Sequence, residues 1–210
     1  MLRALGHFRI IRWLLTFACW RVREPVRSDA DARRRYVHHL NISLSCVSSS
    51  TIWRVGEASA PGCWLLLFSS TPIRLSRGPE QRALYLNGTQ VFHYADDQRY
   101  PGERKVVTDE YAYTLAEDEA LTDELFGWHW QPAHGHPDPH IHVGYPNPSY
   151  PRSTKWHVPG GRVAFEQVLA FAIHELGVQP VLEDAAAVLE EKLSLFRRFA
   201  TWGVPTPPPE

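Results

Sequence analysis

Apolar residues recur at every second position along much of the chain between residues 39 and 143. The run His39–Val47 alternates strictly, which is typical of a half-buried strand. Asn87 and Gly88 lie between two further apolar runs and predict a tight hairpin turn. In all, the alternation predicts strands at about 39–47, 51–55, 63–68, 73–75, 83–86, 90–94, 106–115, 125–130 and 140–143.

The apolar spacing becomes helical after residue 162. Val163–Leu176 carries apolar residues three and four positions apart, and Gly177 follows as a helix stop. Leu182–Phe199 repeats this pattern, with acidic residues early and basic residues late, as the helix dipole favours. Because a run of strands precedes a run of helices, the sequence predicts an α+β fold, an antiparallel sheet with two C-terminal helices packed on one face.

The 210 residues are enough for one hydrophobic core. The basic residues spread through residues 1–35 indicate an N-terminal extension. We expect it either to dock on the body of the protein or to lie outside the folded unit. Its apolar run, Trp13–Trp20, is too short to cross a bilayer, which takes about 20 residues. We expect residues 36–202 to form a single α+β domain, and residues 203–210 to form a proline-rich disordered tail.

Composition narrows the class of protein. The net charge of −1 leaves no global positive field that would hold a nucleic acid. The spacing of the three cysteines fits neither a disulfide framework nor a zinc motif. We therefore expect free thiols, which are typical of a protein in the reducing cytoplasm. Phosphate-binding glycine loops and a Gly-x-Ser-x-Gly turn are absent, which argues against kinases, dehydrogenases and α/β-hydrolases.

Histidines concentrate in one stretch, since six of the eleven fall between His129 and His157. His140 and His142 are two residues apart, so a strand would place both imidazoles on one face. His157 follows a proline-containing loop and could return beside them. Arg162 precedes the predicted helix start, where an anion is favoured. We therefore predict a site whose catalytic residues are His140, His142, His157 and Arg162.

This set of residues suits three kinds of chemistry. Imidazoles ordinarily titrate near neutral pH and can act as general acid and base. His140, His142 and His157 could instead bind a divalent metal such as zinc, leaving one position for water. Arg162 and helix N–H groups could hold a phosphate while the histidines move protons. Three aromatic residues are candidates for substrate binding, with a packing role as the alternative: Tyr113, Trp128 and Trp156.

Short motifs within residues 105–180 resemble those of small uncharacterised bacterial proteins. They are similar, more loosely, to the TumE-type toxins of toxin–antitoxin pairs. The motifs are Tyr111-x-Tyr113, Pro139-His140-Ile141-His142, His157-x-Pro159-x-x-Arg162 and Glu175-Leu176-Gly177. The resemblance implies a compact α+β domain and a nuclease-like toxin. The chain departs from the toxin pattern by its additional N-terminal strands and second helix.

Two hypotheses of function follow. The first is a small cytoplasmic bacterial enzyme that cleaves a phosphodiester, in RNA, with the histidines supplying proton transfer or metal binding. The second is a non-catalytic interaction protein of a toxin–antitoxin or defence system, with a cognate antitoxin as its partner and a structural histidine cluster. A catalytic site requires the histidines and Arg162 to converge in the open, whereas a structural cluster is buried and internally hydrogen-bonded.

Overall fold

The computed structural model describes residues 25–52, 54–132, 136–144, 156–199 and 201–202. Within these ranges the chain forms three helices and one nine-stranded sheet. The helices are α1 (Asp29–Ser45), α2 (Phe165–His174) and α3 (Ala185–Phe199). The strands are β1 (Arg54–Glu57), β2 (Trp64–Leu67), β3 (Ile73–Leu75), β4 (Leu84–Asp96), β5 (Arg104–Ala116), β6 (Glu124–Gln131), β7 (His136–Val143), β8 (Trp156–Pro159) and β9 (Thr201–Trp202).

The sheet is almost entirely antiparallel. Its order is β1-β2-β4-β5-β6-β7-β8, and β3 pairs with the first residues of β4. The exception is β9, which runs parallel to the N-terminal half of β5. Strands β4 to β8 follow one another in space as they do in sequence, because short connections favour antiparallel neighbours. The predicted α+β architecture, with an antiparallel sheet and two C-terminal helices, is confirmed.

Aromatic side chains join the helices to one face of the sheet, here called the helix face. The ring of Phe165 at the start of α2 packs edge-on against Phe68, with 4.6 Å between centroids. Six residues further along, the ring of Phe171 contacts Phe126 and Trp128 in β6, with centroid distances of 4.9 and 5.3 Å. Large rings thus fill the space between α2 and the sheet, and their burial is a main source of stability.

The predicted strand at residues 39–47 is wrong, because residues 39–45 belong to α1 and residues 46–47 form the turn that follows it. The hydroxyl of Ser28 accepts a hydrogen bond from the Asp31 N–H at 3.1 Å and caps the helix. Tyr36, Leu40 and Leu44 are buried, and their four-residue spacing places them on one side of a helix. A run in which every second residue is apolar also has an apolar residue at every fourth position. The same pattern is therefore compatible with a strand and with one side of a helix. The domain boundary predicted after residue 35 falls inside this helix.

The hairpin predicted at Asn87 and Gly88 is also wrong. Both residues lie within the continuous strand β4 and pair with Thr114 and Tyr113 of β5. A side chain at Gly88 would place its Cβ 2.6 Å from the ring of Phe68. This glycine therefore makes room for a buried ring rather than for a turn.

Several predicted features lie outside the described residues: the extension up to residue 24, the loop at 145–155 and the tail at 203–210. Among the helices that the structure describes, none is long and apolar enough to cross a membrane.

Candidate metal centre

Four histidines from three neighbouring strands lie on the sheet face opposite the helices, here called the histidine face. Residues directly paired across antiparallel strands project to the same side. The relevant pairs are His129 with His140, Gly127 with His142, and His142 with His157. The structure therefore brings together the three predicted histidines and adds His129, which follows the same two-residue period.

The four imidazoles form a compact group. The ring of His142 lies at its centre, 4.1 Å from that of His129 and 4.4 Å from that of His157. The ring of His140 is 5.1 Å from that of His142 and 5.2 Å from that of His157. One nitrogen from each of His129, His140 and His142 lies within 4.8 Å of the others, so that these three could hold a single metal ion.

A backbone contact orients the ring of His140. Its Nδ1 lies 2.9 Å from the carbonyl oxygen of Asp138. A carbonyl only accepts, so Nδ1 carries a proton, and a metal ion would have to bind this ring through Nε2. His129, His140 and His142 are half-buried and His157 is exposed. The group is thus reachable and partly shielded from water.

A carboxylate belongs to the same cluster, although the sequence pattern did not indicate it. Oε1 of Glu124 lies 3.3 Å from Nδ1 of His142, and the Glu124 side chain is only 5% exposed. Simple alternation would place Glu124 beside Phe126 on the helix face. The register between β5 and β6 shifts by one residue, since Leu115 pairs with Phe126 but Ala116 pairs with Glu124. This bulge turns Glu124 to the histidine face.

Gly127 lies beneath the cluster. A Cβ built on it would be 2.5 Å from Oε1 of Glu124 and 2.9 Å from Nε2 of His129. Real Cβ atoms do not approach other atoms so closely. The missing side chain therefore allows these two atoms to converge above the strand.

Arg162, the fourth predicted catalytic residue, lies in a different environment. Its guanidinium carbon is 3.9 Å from the ring centroid of Trp130, a contact typical of a cation over an aromatic face. Trp130 is buried and pairs with Tyr111, so it belongs to the helix face. Burial lowers the pKa of Arg162, while the nearby Tyr111 opposes this shift. The structure thus places Arg162 against the helix face rather than among the histidines.

The three residues predicted to bind substrate also lie apart from the histidines. Tyr113 and Trp128 are buried and paired with each other on the helix face. Trp156 is 59% exposed on β8. It pairs with Val143, so its side chain projects to the side of the helix face and away from the histidines. Their positions in this structure agree with the packing alternative for Tyr113 and Trp128.

Glu166 in α2 contacts a histidine from a distant part of the chain. Its Oε1 lies 2.9 Å from Nε2 of His39 and accepts a hydrogen bond from the Ser43 hydroxyl at 2.8 Å. Burial by itself would raise the pKa of Glu166, but the interactions with His39 and Ser43 hold it below its ordinary value. Glu166 therefore ties α2 to α1 and takes no part in the histidine cluster.

Comparison with known proteins adds no assignment, because no family model, curated protein or solved structure matches the chain. The resemblance to TumE-type toxins stays a prediction.

Proposed function

We propose that His129, His140 and His142 bind a divalent transition metal such as zinc, and that the protein is a metal-dependent hydrolase. The observation that supports this most directly is the approach of their three nitrogens to within 4.8 Å of one another. Two ligands of one tetrahedral zinc ion, each about 2.0–2.1 Å from it, are about 3.3–3.4 Å apart. Small rotations of the imidazoles would bring the three nitrogens to that spacing.

Hydrolysis is the chemistry that such a centre favours. Three protein nitrogens leave a coordination position for water, and a bound zinc ion lowers the pKa of that water to about 7. The ring of His157 lies beside those of His140 and His142 and is exposed to solvent. An imidazole in this position is suited to take the proton of the activated water and to release it to solvent.

The positions of the histidines support a site more than a structural cluster. A cluster that only stabilised the fold would be buried and closed by short hydrogen bonds. Here His157 is exposed and the other three imidazoles are half-buried. The non-catalytic hypothesis, with a cognate antitoxin as partner, has no comparable support in the contacts of the described residues.

The class of substrate remains part of the proposal. An RNA phosphodiester was predicted on the expectation that Arg162 would hold the phosphate. Since Arg162 lies over Trp130, this hypothesis now needs a different phosphate-binding group. We retain RNA cleavage in the cytoplasm as a hypothesis to be tested beside the hydrolysis of uncharged esters.

Metal binding can be tested on the full chain, without a known substrate. The protein is stripped with a chelator, loaded with zinc, dialysed and analysed by mass spectrometry for bound metal. We expect one zinc ion per chain, and at least a roughly 100-fold loss of affinity in His129→Ala, His140→Ala and His142→Ala. His93→Ala is the matched control, because His93 contacts Asp109 elsewhere on the sheet. A wild type that retains no zinc, or cluster variants that bind like the control, would overturn the proposal.

Hydrolysis is tested next with the zinc-loaded protein. The substrates are an RNA oligonucleotide, a nitrophenyl phosphodiester and a nitrophenyl ester. We expect His142→Ala to lose at least one of these activities while His93→Ala keeps it. Zinc binding without hydrolysis of any substrate would refute the hydrolase assignment and leave the metal centre in place.

A further inference from the structure

We infer that Glu124 is a ligand of the proposed metal ion and that His142 binds the same ion through Nδ1. This inference rests on the proposed metal centre, and it names a donor that the three-histidine set does not contain. A buried carboxylate beside a metal-binding histidine can have either of two roles. It can bind the ion itself, or it can accept the proton of the ring nitrogen that faces away from the ion.

The distance between the two side chains favours direct binding. Two other histidine–carboxylate pairs of this protein have the lengths of hydrogen bonds. His93 Nδ1 lies 2.7 Å from Asp109 Oδ2, and His39 Nε2 lies 2.9 Å from Glu166 Oε1. His142 Nδ1 and Glu124 Oε1 are 3.3 Å apart, although the two side chains are only 12% and 5% exposed. That separation is the one expected of two ligands on a tetrahedral zinc ion, about 3.3–3.4 Å.

A second donor converges on the same point. The Cβ that Gly127 lacks would be within 2.9 Å of both Glu124 Oε1 and His129 Nε2. Glycine in the interior of a strand weakens the strand and often marks the close approach of another group. Gly127 therefore leaves space for an ion with Glu124, His129 and His142 around it, and His140 adjoins this set. With all four donors bound, the water of the proposed hydrolysis requires a fifth position, to which a zinc ion can expand.

The backbone is shaped to hold Glu124 on the histidine face. The register shift between β5 and β6 reverses the side to which Glu124 points. Gly144 lies directly against it, since a Cβ there would be 1.7 Å from the Glu124 carbonyl oxygen. The Gly144 N–H donates to the Leu125 carbonyl at 2.9 Å, which ties the two strands together beside the carboxylate. A surface acid would need none of these features.

A carboxylate ligand changes the charge of the centre. Neutral imidazoles leave a divalent ion with its full charge, whereas Glu124 neutralises half of it. Mixed imidazole and carboxylate donors suit zinc and also iron(II). We therefore expect the affinity for zinc to depend on Glu124 about as strongly as on one of the histidines.

The deciding experiment is a nitrogen-15 NMR spectrum of the histidine side chains in the zinc-loaded full chain. We expect Nδ1 of His142 to be bound to zinc and Nε2 to carry the proton. The reverse arrangement, with zinc on Nε2 and a proton on Nδ1, would overturn the inference, because Glu124 would then only position the ring. This measurement uses the wild type and does not depend on whether any variant folds.

Variants provide an independent test by titration with zinc. We expect Glu124→Gln to lower the affinity about 100-fold, and Gly127→Ala to lower it comparably although it removes no donor. Asp109→Asn and Gly161→Ala are matched controls, since Asp109 contacts His93 and nothing lies within 4 Å of a Cβ at Gly161. If the wild type binds zinc through its histidines and Glu124→Gln binds equally well, this inference fails while the proposed function stands. If the wild type binds no zinc, both fail.

Discussion

Imidazoles and carboxylates meet on both sides of this sheet, and the two groups are built differently. On the helix face, Glu166 is 1% exposed and is held by His39 and Ser43 through contacts of 2.9 and 2.8 Å. On the histidine face, the carboxylate of Glu124 stands 3.3 Å from His142, among four imidazoles and above a glycine. In the first group both short contacts go to Oε1 of Glu166, and they join α2 to α1. The second places a carboxylate beside imidazoles whose nitrogens lie within 4.8 Å of one another, and this arrangement supports the proposed metal centre.

The largest effect on stability should come from the core beneath the helix face. Phe165 is buried, and its ring lies 4.6 Å from that of Phe68 and 5.7 Å from that of Tyr113. We expect Phe165→Ala to lower the free energy of unfolding by about 3–5 kcal/mol, the cost of emptying an aromatic site. Urea denaturation measures this, with the exposed Val181→Ala as control. Equal midpoints for the two variants would show that α2 does not pack on the sheet.

A smaller loss is expected when the closed polar group on the helix face is disturbed. Glu166→Gln keeps the shape of the side chain but removes the charge that His39 and Ser43 contact. We expect a loss of about 1–3 kcal/mol at neutral pH, the usual cost of weakening a buried hydrogen-bonded group. Glu175→Gln, at an exposed position beyond the same helix, should change the unfolding free energy by less than about 0.5 kcal/mol. An equally small change in Glu166→Gln would mean that the network does not stabilise the fold.

The same carboxylate should make stability depend on acid pH. The folded-state pKa of Glu166 is below its ordinary value of 4.5, because the interactions with His39 and Ser43 outweigh the effect of burial. The ionised carboxylate therefore stabilises the folded state above the unfolded pKa, and this contribution is lost as the pH falls through the folded pKa. We expect the difference in unfolding free energy between wild type and Glu166→Gln to be constant near pH 6 and to shrink below about pH 4.5. A difference that grows with falling pH would contradict this assignment.

The smallest effect on stability is expected on the histidine face. Removing one imidazole of a binding site costs little packing, so His142→Ala should change the unfolding free energy of the metal-free protein by no more than about 1 kcal/mol. Saturating zinc should raise the melting temperature of the wild type and leave that of His142→Ala unchanged, because only a protein that binds the ligand is stabilised by it. Thermal denaturation with and without zinc measures both quantities. A loss of about 3 kcal/mol without zinc would favour the structural interpretation of the cluster.

The sequence by itself determined those features that depend on local periodicity. The alternation in residues 106–115 and 125–130 predicted strands that the structure contains as β5 and β6. The three- and four-residue spacing after Val163 predicted α2 and α3 close to their observed bounds. The two-residue spacing of His140 and His142 predicted that both lie on one face of a strand, as they do in the structure. These are properties of a segment a few residues long, so they can be inferred without knowing its neighbours.

Other features were decided by tertiary contacts. Leu40 and Leu44 are compatible with a strand and with a helix, and packing against the sheet selected the helix. Gly88 has the sequence context of a turn, but the ring of Phe68 requires a glycine within a strand. Local pattern alone cannot separate such alternatives, because the deciding partners are distant in sequence.

The composition of the candidate site was decided in the same way. Simple alternation along β6 would place Glu124 on the helix face, and only the bulge against β5 turns it toward the histidines. Arg162 is close to His157 in sequence, yet the ring of Trp130 holds it against the opposite side of the sheet. The register between strands is set by pairing over long sequence distances, and a shift of one residue exchanges the two faces. For that reason the sequence could identify the histidines, and only the folded sheet could show which carboxylate joins them.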